Sequence, residues 1–476
     1  MPRLPGADTT FRALRHRNYR LLWLGQTGHS ATLWMDQVAR AVLILDLTDS
    51  AVMLSLVIAT RLAPILLFGL IAGAVADRYD RKRILTVTQC ASTACHLFIG
   101  IVAVAGIVEV WHVFLTAGVA GTAMAFNQPV RQSLIPRTVP PEDLLNAVAL
   151  NSTALSFMRI GGGAIAGALL VVTSVGGVYL ITAGIYLLVI LTTLLMRFDD
   201  DGTSRRRKDS GLFADLAEGF RYVASQPVLF VVTGLSLILF IFGFPYQQVF
   251  VPLLAKKTLD LGDSGVGFLA GATGVGAFAG SLFVAWKSNI ARPGLQLAIN
   301  MLVFGAALVA ISLQQNTWLT ALLLAVAGSM TVTYMAFTNG ILLSNSTPEM
   351  HGRVMSLLSL DRGLIPLGAI LAGFLVQGLG IRPGLFTLGA AIMAMSGLVL
   401  LLFGRRLADI RSGGAVRGHV PAPEPPAADT AGGRSTPAPS PQASDPAFDP
   451  ARAASYGVAW NGARTARSAK PARVGV

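Results

Sequence analysis

Gly73-Ala74-Val75-Ala76-Asp77-Arg78-Tyr79-Asp80-Arg81-Lys82-Arg83 gathers four basic and two acidic side chains into a few residues behind a glycine. The sequence on either side is apolar. Residues 52 to 76 hold one charged side chain, Arg61, and residues 84 to 107 hold none. Uncharged runs of about 18 residues or more read as bilayer-spanning helices, and a basic turn between two of them stays in water on one side of the membrane. Two spans joined by a charged turn therefore set the frame for the rest of the chain.

Composition agrees with that frame. Of 476 residues, 53% are hydrophobic and 13% charged, against roughly 25% charged in a soluble domain. The net charge of +13 does not point to nucleic acid, because the basic residues form short clusters between apolar runs rather than one continuous basic face. Arg3, Arg12, Arg15 and Arg17 precede the first run without a small-residue cleavage pattern, so the first span is expected to remain as an insertion signal. Cys90 and Cys95 lie five residues apart in one span, on different helix faces, which argues against a disulfide or a metal site.

Spans are expected near 21–45, 52–76, 84–107, 110–130, 146–172 and 177–196, and again near 228–254, 265–286, 294–313, 317–344, 354–379 and 383–403. The fold class is thus an all-α integral membrane protein of twelve transmembrane helices in two six-helix bundles, 21–196 and 228–403. Arg78 to Arg83, Arg205 to Lys208, Lys287, Arg292 and Arg353 mark one side, while the alternate loops hold only Lys256, Lys257 and Arg382. The basic side is cytoplasmic by the positive-inside rule, which puts both termini there in a cell-membrane protein.

Residues 1–20 form a cytoplasmic N-terminal segment in which 10–20 is expected to lie as an amphipathic helix. A linker, 197–227, carries Leu212, Phe213, Leu216, Phe220 and Val223 at helical spacing and is expected to lie along the inner membrane face. Residues 404–476 are rich in Pro, Ala, Ser, Gly and Arg and are expected to be a disordered tail. Duplication shows in Gly162-Gly163-Ala164-Ile165-Ala166-Gly167 against Gly368-Ala369-Ile370-Leu371-Ala372-Gly373, one in the fifth span of each half. Parallel six-helix repeats are a recurrent transporter plan, with the substrate site between halves near the bilayer midplane.

The charged turn from Gly73 to Arg83 resembles the signature loop of the major facilitator superfamily. The resemblance implies that Gly73 allows close helix approach, that Asp77 faces the start of the eleventh helix, and that Arg78, Arg81 and Lys82 form the loop's basic run. Asp80 stands where the general pattern has a second glycine. Together with Phe11-Arg12-Ala13-Leu14-Arg15, Leu22-Trp23-Leu24-Gly25-Gln26 and Leu144-Leu145-Asn146-Ala147-Val148-Ala149-Leu150-Asn151, that departure resembles the branch holding the enterobactin exporter and macrolide-efflux proteins. The stretch from Arg159 through Gly161 to Gly167 resembles the glycine-rich antiporter motif, with Gly163 where a proline is usual. Residues 115 to 125 lack the fourth-helix arginine of proton antiporters.

Ionisable groups inside spans cost about 2.5–3.5 kcal/mol each on insertion scales and are functional candidates by default. His29, Asp36 and Arg40 share one stripe of the first helix, since steps of seven and four residues return to the same face. Arg61 and Arg159 are expected at the depth of Asp36, making coupling or gating candidates of Asp36, Arg40, Arg61 and Arg159. A fixed ion pair holding the first half together is the competing account. Asp361 and Arg362 in the eleventh span are candidates for a gate. Gln26, His29, Trp34, Gln37, Tyr246, Gln247, Gln248, Tyr334 and Asn339 put polar and aromatic surface on helices that, by the resemblance, line a central cavity suited to an amphiphile. Pro64 and Pro245 are expected to bend their helices.

No nucleotide-binding glycine loop and no nucleophile arrangement stands out. The expected activity is secondary transport by alternating access, exporting a small siderophore-like or drug-like molecule against protons. The expected partners are that molecule, protons and lipid, with no cofactor and no metal, in a monomer. Uptake on the same fold, and a transport-inactive receptor or scaffold, are the alternatives; a membrane enzyme is the weaker third.

Overall fold

The computed structural model describes residues 10–197, 220–286, 292–346, 350 and 363–409. All regular structure among them is helical. The first six long helices are α1 (Arg17–Thr48), α2 (Ala51–Arg78), α3 (Arg81–Val104), α4 (Val110–Thr138), α5 (Leu144–Val172) and α6 (Val175–Leu195). After the linker, α7 runs from Pro227–Ile238 through π-helical turns at Leu239–Gly243, Tyr246–Phe250 and Leu254–Thr258. Then come α8 (Gly262–Trp286), α9 (Pro293–Leu313), α10 (Thr317–Ser344), α11 (Ile365–Leu379) and α12 (Ile381–Asp409). Among the described residues, nine helices are long and apolar enough to cross a membrane. Helix α1 is not one of these, and it carries Asp36 and Arg40 along its length.

Helix starts follow local chemistry. Ser50 Oγ accepts the Met53 amide, Asp80 Oδ1 the Lys82 amide, Ser174 Oγ the Gly177 amide, and Asn316 Oδ1 the amides of Trp318 and Leu319. Each satisfies donors that the first helical turn leaves free. Glu109 and His112 cap α4 reciprocally. Around Pro245 the helix widens into π turns, because proline cannot donate to the backbone ladder and pushes the preceding turn open. Pro64 sits inside α2 without ending it.

The surface is inverted relative to a soluble protein. Leu187, Leu188, Leu191 and Leu194 of α6 and Leu401 and Leu402 of α12 are exposed, while Gln26, His29, Asp36, Arg40, Gln89 and Arg131 are buried. That arrangement is stable only where the outer solvent is hydrocarbon.

Among α1–α6, α2 packs on α4, α3 on α4 and α6, and α1 on α5 and α6. Among α7–α12, α8 packs on α10, α9 on α10 and α12, and α11 on α12. The most extensive packing between α1–α6 and α7–α12 is α5 with α8 and α2 with α11, and α1 also meets α7 and α8.

The expected amphipathic helix over 10–20 is not what forms. A short 3-10 turn, Arg12–Arg15, precedes α1. Arg12 Nε and His16 Nε2 both reach the buried Asp143 carboxylate, at 2.7 and 2.8 Å. Asn146 accepts the Ala13 amide and donates to the Thr10 carbonyl. This segment is pinned to the start of α5 by polar contacts that override its amphipathic pattern. The linker expectation lies mostly in 198–219, outside the described residues, as are Asp361 and Arg362; of the tail expected over 404–476, 410–476 also lies outside them, while 404–409 is not irregular but continues α12 to Asp409.

Candidate functional site

The stripe on α1 folds inward and meets three other helices. Asp36 Oδ1 accepts from Arg40 Nη2 at 2.8 Å, one turn along the same helix. Arg61 Nη2 of α2 stands 2.8 Å from Oδ2 as an ion pair. Arg40 Nη1 also donates to the Val113 carbonyl and to Thr116 Oγ1 of α4, at 3.1 and 3.0 Å, and its guanidinium lies 5.9 Å from the Tyr179 ring of α6. One carboxylate and two guanidiniums thus join α1, α2, α4 and α6. Burial of Asp36 at 1% exposure is tolerable because both oxygens face positive charge. The expected depth match of Asp36 with Arg61 is met.

Sequence reasoning missed His96. This α3 residue is 3% exposed and stacks at a tilt between Tyr179 and Tyr186, with centroids 5.8 and 5.1 Å away. Its Nε2 lies 3.8 Å from Asp36 Oδ1. Tyr186 in turn shares a 3.2 Å hydrogen bond with His29 Nδ1. His29, Arg61, Ser92, His96, Asn127 and Tyr186 surround a cavity of about 10 Å³.

Arg131 was missed for a different reason. Helix α4 continues eight residues past the expected end at 130, so Arg131 is a buried helical residue. Its Nε donates to Asn127 Oδ1 at 3.4 Å, Asn127 Nδ2 donates to Thr88 Oγ1 at 3.0 Å, and Arg131 Nη2 has no hydrogen-bond partner. The fourth helix does carry an arginine, beyond the stretch where the resemblance places one.

Arg159 does not join Asp36. Its guanidinium lies 5.5 Å over the Trp34 ring, it interacts electrostatically with Tyr246, and its buried Nε has no hydrogen-bond partner. Trp34 reaches it because Gly162 has no side chain: a Cβ there would lie 2.7 Å from Trp34 Cβ. Tyr246 packs edge-on against Phe304, 5.3 Å between centroids. Trp34, Arg159 and Tyr246 come from α1, α5 and α7, so the cluster spans both sets of helices.

The other cavity candidates are dispersed. Gln26 donates to Ser30 Oγ along its own helix. Gln247 and Tyr334 are buried, and Gln37, Gln248 and Asn339 half-buried. Around the signature turn, Gly73, Asp77 and Arg78 lie in the last turns of α2 and Arg81 opens α3. Lys82 Nζ donates to the carbonyls of Leu194 and Met196, both at 2.8 Å, capping the end of α6. A groove of about 610 Å³ on the flank of α3 and α4, lined by Asp80, Arg83, Val87, Gly118 and Phe126, touches none of the cavity candidates.

At the end bearing the α1–α2 turn, Lys256 of α7 pairs with Asp46 of α1 and with Asp263 of α8, the latter at 2.7 Å. Lys257 pairs with Asp49 at 2.8 Å. Beside them α5 and α8 touch at Gly167 and Gly267. The two sets of helices are closed against each other at this end.

Comparison with known proteins matches this architecture. The chain is 24% identical over 396 residues to the staphyloferrin A transporter of Staphylococcus aureus, covering 81% of this chain and 94% of that one. It is 21% identical to macrolide efflux protein A of Streptococcus pyogenes, over 80% and 96% of the two chains. With the multidrug efflux pump Tap of Mycobacterium tuberculosis it shares 26% identity over 76% and 88%. Among solved structures, the nucleoside transporter NupG superposes with a TM-score of 0.62 at 12% identity, covering 82% of this chain and 99% of that one. A bacterial homologue of the lysosomal transporter Spinster, inward-facing and occupied, gives 0.58 at 17% identity over 83% and 95%. These two likenesses establish the fold. A family model described as transmembrane secretion effector matches residues 8–430. The chain therefore belongs to that family of the major facilitator superfamily, multi-pass membrane transporters and not enzymes.

Proposed function

We propose that this chain is a secondary transporter of the cell membrane that exports a small anionic amphiphile in exchange for protons. Twelve helices, in bundles spanning 21–196 and 228–403, rock about a midplane site, with both termini cytoplasmic and a monomer as the working unit. The support for two bundles is that the helix pairings repeat when six is added to each number: α2–α4 recurs as α8–α10, α3–α6 as α9–α12, α3–α4 as α9–α10. The joining pairs, α5–α8 and α2–α11, follow the same rule. On this topology the Lys256 end is extracellular, and its closure corresponds to a state open to the cytoplasm.

The observation that carries the substrate class is Arg159. A guanidinium buried at a junction of the two halves, lying over an indole, within electrostatic range of a phenol and without a carboxylate partner among the described residues, suits a ligand with an acidic group beside an aromatic or apolar body. The relatives' names, a siderophore transporter and drug efflux proteins, support small amphiphilic cargo.

The test is reconstitution into vesicles with an imposed proton gradient and a panel of siderophores, macrolides and dyes in matched anionic and cationic forms. Accumulation of an anionic member against its gradient, abolished by a protonophore, is the expected result. Flux of cationic and anionic forms at equal rates would remove the anionic assignment, and ligand binding without flux would indicate a receptor.

A further inference from the structure

We propose that Nε2 of His96 is the proton-binding atom of this carrier, with Asp36 as its partner carboxylate and Arg61 as the group that the proton displaces. The proposal rests on the reading that the carrier exchanges protons.

The tautomer decides the matter. His96 Nδ1 lies 2.7 Å from the Ser92 carbonyl oxygen. A carbonyl only accepts, so Nδ1 carries the hydrogen, and a neutral ring then holds its lone pair on Nε2. That nitrogen is buried, has no hydrogen-bond partner among the described residues, and lies 3.8 Å from Asp36 Oδ1. Two acceptors face each other there. A proton on Nε2 converts the confrontation into a charge-assisted hydrogen bond once the ring closes the remaining gap of about 1 Å to ordinary N–H···O distance.

Asp36 itself offers less room. Oδ1 already accepts from Arg40, and Oδ2 faces Arg61. Arg40 is anchored to α4 by Val113 and Thr116, whereas among the described residues no hydrogen bond holds Arg61 elsewhere. Of the two arginines, Arg61 is the one free to leave. The imidazolium approaches Oδ1, the oxygen already bound by Arg40, and brings a third positive charge onto one carboxylate; repulsion falls on the cation with no second anchor, Arg61 on Oδ2, so proton binding on α3 releases α2 from α1. Helix α2 also packs on α11 of the other half, which links the exchange to movement between bundles.

The groups facing His96 are known from every side. Helix α1 presents His29, Asp36 and Arg40, α2 presents Arg61, α4 presents Asn127 with Arg131 behind it, and α6 presents Tyr179 and Tyr186. Cys95 is the neighbour on α3 itself. The cavity of about 10 Å³ beside the ring is lined by His29, Arg61, Ser92, Asn127 and Tyr186 together with apolar neighbours, and has room for roughly one water, the minimum for a proton to arrive. The proton comes from water and returns to it; the N–H bond is the only one made and broken in the protein.

The chain has six histidines. With full-length protein in nanodiscs and ring-15N histidine, resonances are assigned by elimination using the other five single His→Gln variants, so the His96 signal does not depend on a His96 variant folding. The expected result is passage of the His96 ring from the Nδ1–H form to the doubly protonated form between pH 5 and pH 8.5. A ring that keeps the Nδ1–H neutral form across that range overturns the proposal. In vesicles, the ratio of gradient-driven uptake to substrate counterflow is expected to fall at least tenfold in His96→Gln relative to wild type. A gradient response that survives in His96→Gln also overturns it. The proton-exchange reading fails separately, if wild type shows counterflow but no gradient response.

Discussion

Gly167 of α5 and Gly267 of α8 meet backbone to backbone: a Cβ placed on Gly167 would stand 2.7 Å from the Gly267 Cα and 3.0 Å from the Ser264 carbonyl oxygen. Neither neighbour is a flexible side-chain tip, so the helices themselves must separate to admit a methyl group. Small residues at such crossings allow close approach in a membrane, and overpacking costs about 1–3 kcal/mol. Gly267→Ala is therefore expected to widen the end bearing the α1–α2 turn. Spin-label distances between the ends of α5 and α8 should lengthen, and counterflow should fall about tenfold or more. An unchanged distance distribution would show that this contact does not hold that end closed.

Lys256 holds the same end by charge. It bridges Asp46 and Asp263, joining α1, α7 and α8 at a partly exposed site. Exposed pairs are worth little singly, about 0–1 kcal/mol, and salt screens them. Lys256→Gln should accordingly raise labelling of a cysteine introduced beside Gly267 by only a few-fold, with the difference shrinking at high salt. Lys256→Glu should raise it further, and combining it with Asp46→Lys should restore protection. Failure of that charge swap to restore protection would assign closure to the glycine contact alone.

The signature turn and the Asp36–Arg61 pair were legible because membrane depth can be counted from charged turns. The same counting inward from Arg81 brings His96 to the level of Arg61, so His96 was within reach of sequence reasoning. A lone histidine in an apolar run simply carries no visible partner until α6 supplies Tyr179 and Tyr186. Arg131 was hidden by its neighbours: Arg131-Gln132-Ser133 looks like the polar end of a span, and only packing against α3 and α1 shows that the helix goes on. The N-terminal segment misled in the opposite direction. Its spacing is amphipathic, yet Asp143 and Asn146, more than a hundred residues away, fix its shape. Long-range polar anchors leave no periodic trace.

Removal of the Asp36 carboxylate tests the buried triad. Asp36→Asn leaves Arg40 and Arg61 without their counter-charge in a buried site, a loss of about 3–5 kcal/mol for pairs of this kind. Arg61→Gln should cost less, since Asp36 keeps Arg40 at 2.8 Å. Adding Arg61→Gln to Asp36→Asn should recover part of the loss by removing one stranded charge. Thermal unfolding midpoints in detergent provide the ordering: lowest for Asp36→Asn, intermediate for the double variant, highest for Arg61→Gln. Additive losses in the double variant would mean that the two side chains are energetically independent.

Arg159 separates charge from shape. Arg159→Lys preserves the positive charge but loses the planar fork that lies over Trp34 and can hold a carboxylate through two bonds. Arg159→Gln loses the charge as well. If the guanidinium receives an acidic group on the cargo, KM for an anionic substrate should rise about tenfold in Arg159→Lys and a hundredfold or more in Arg159→Gln, while a matched cationic analogue gains in the latter. The binding term should move more than the turnover rate, because the contact exists in the loaded ground state. Equal losses for anionic and cationic cargo would instead make Arg159 a packing element, its guanidinium serving only to hold Trp34 against the fifth helix. Trp34→Phe then discriminates further, since it weakens the cation–π contact without adding or removing charge and should affect anionic cargo far less than Arg159→Gln does.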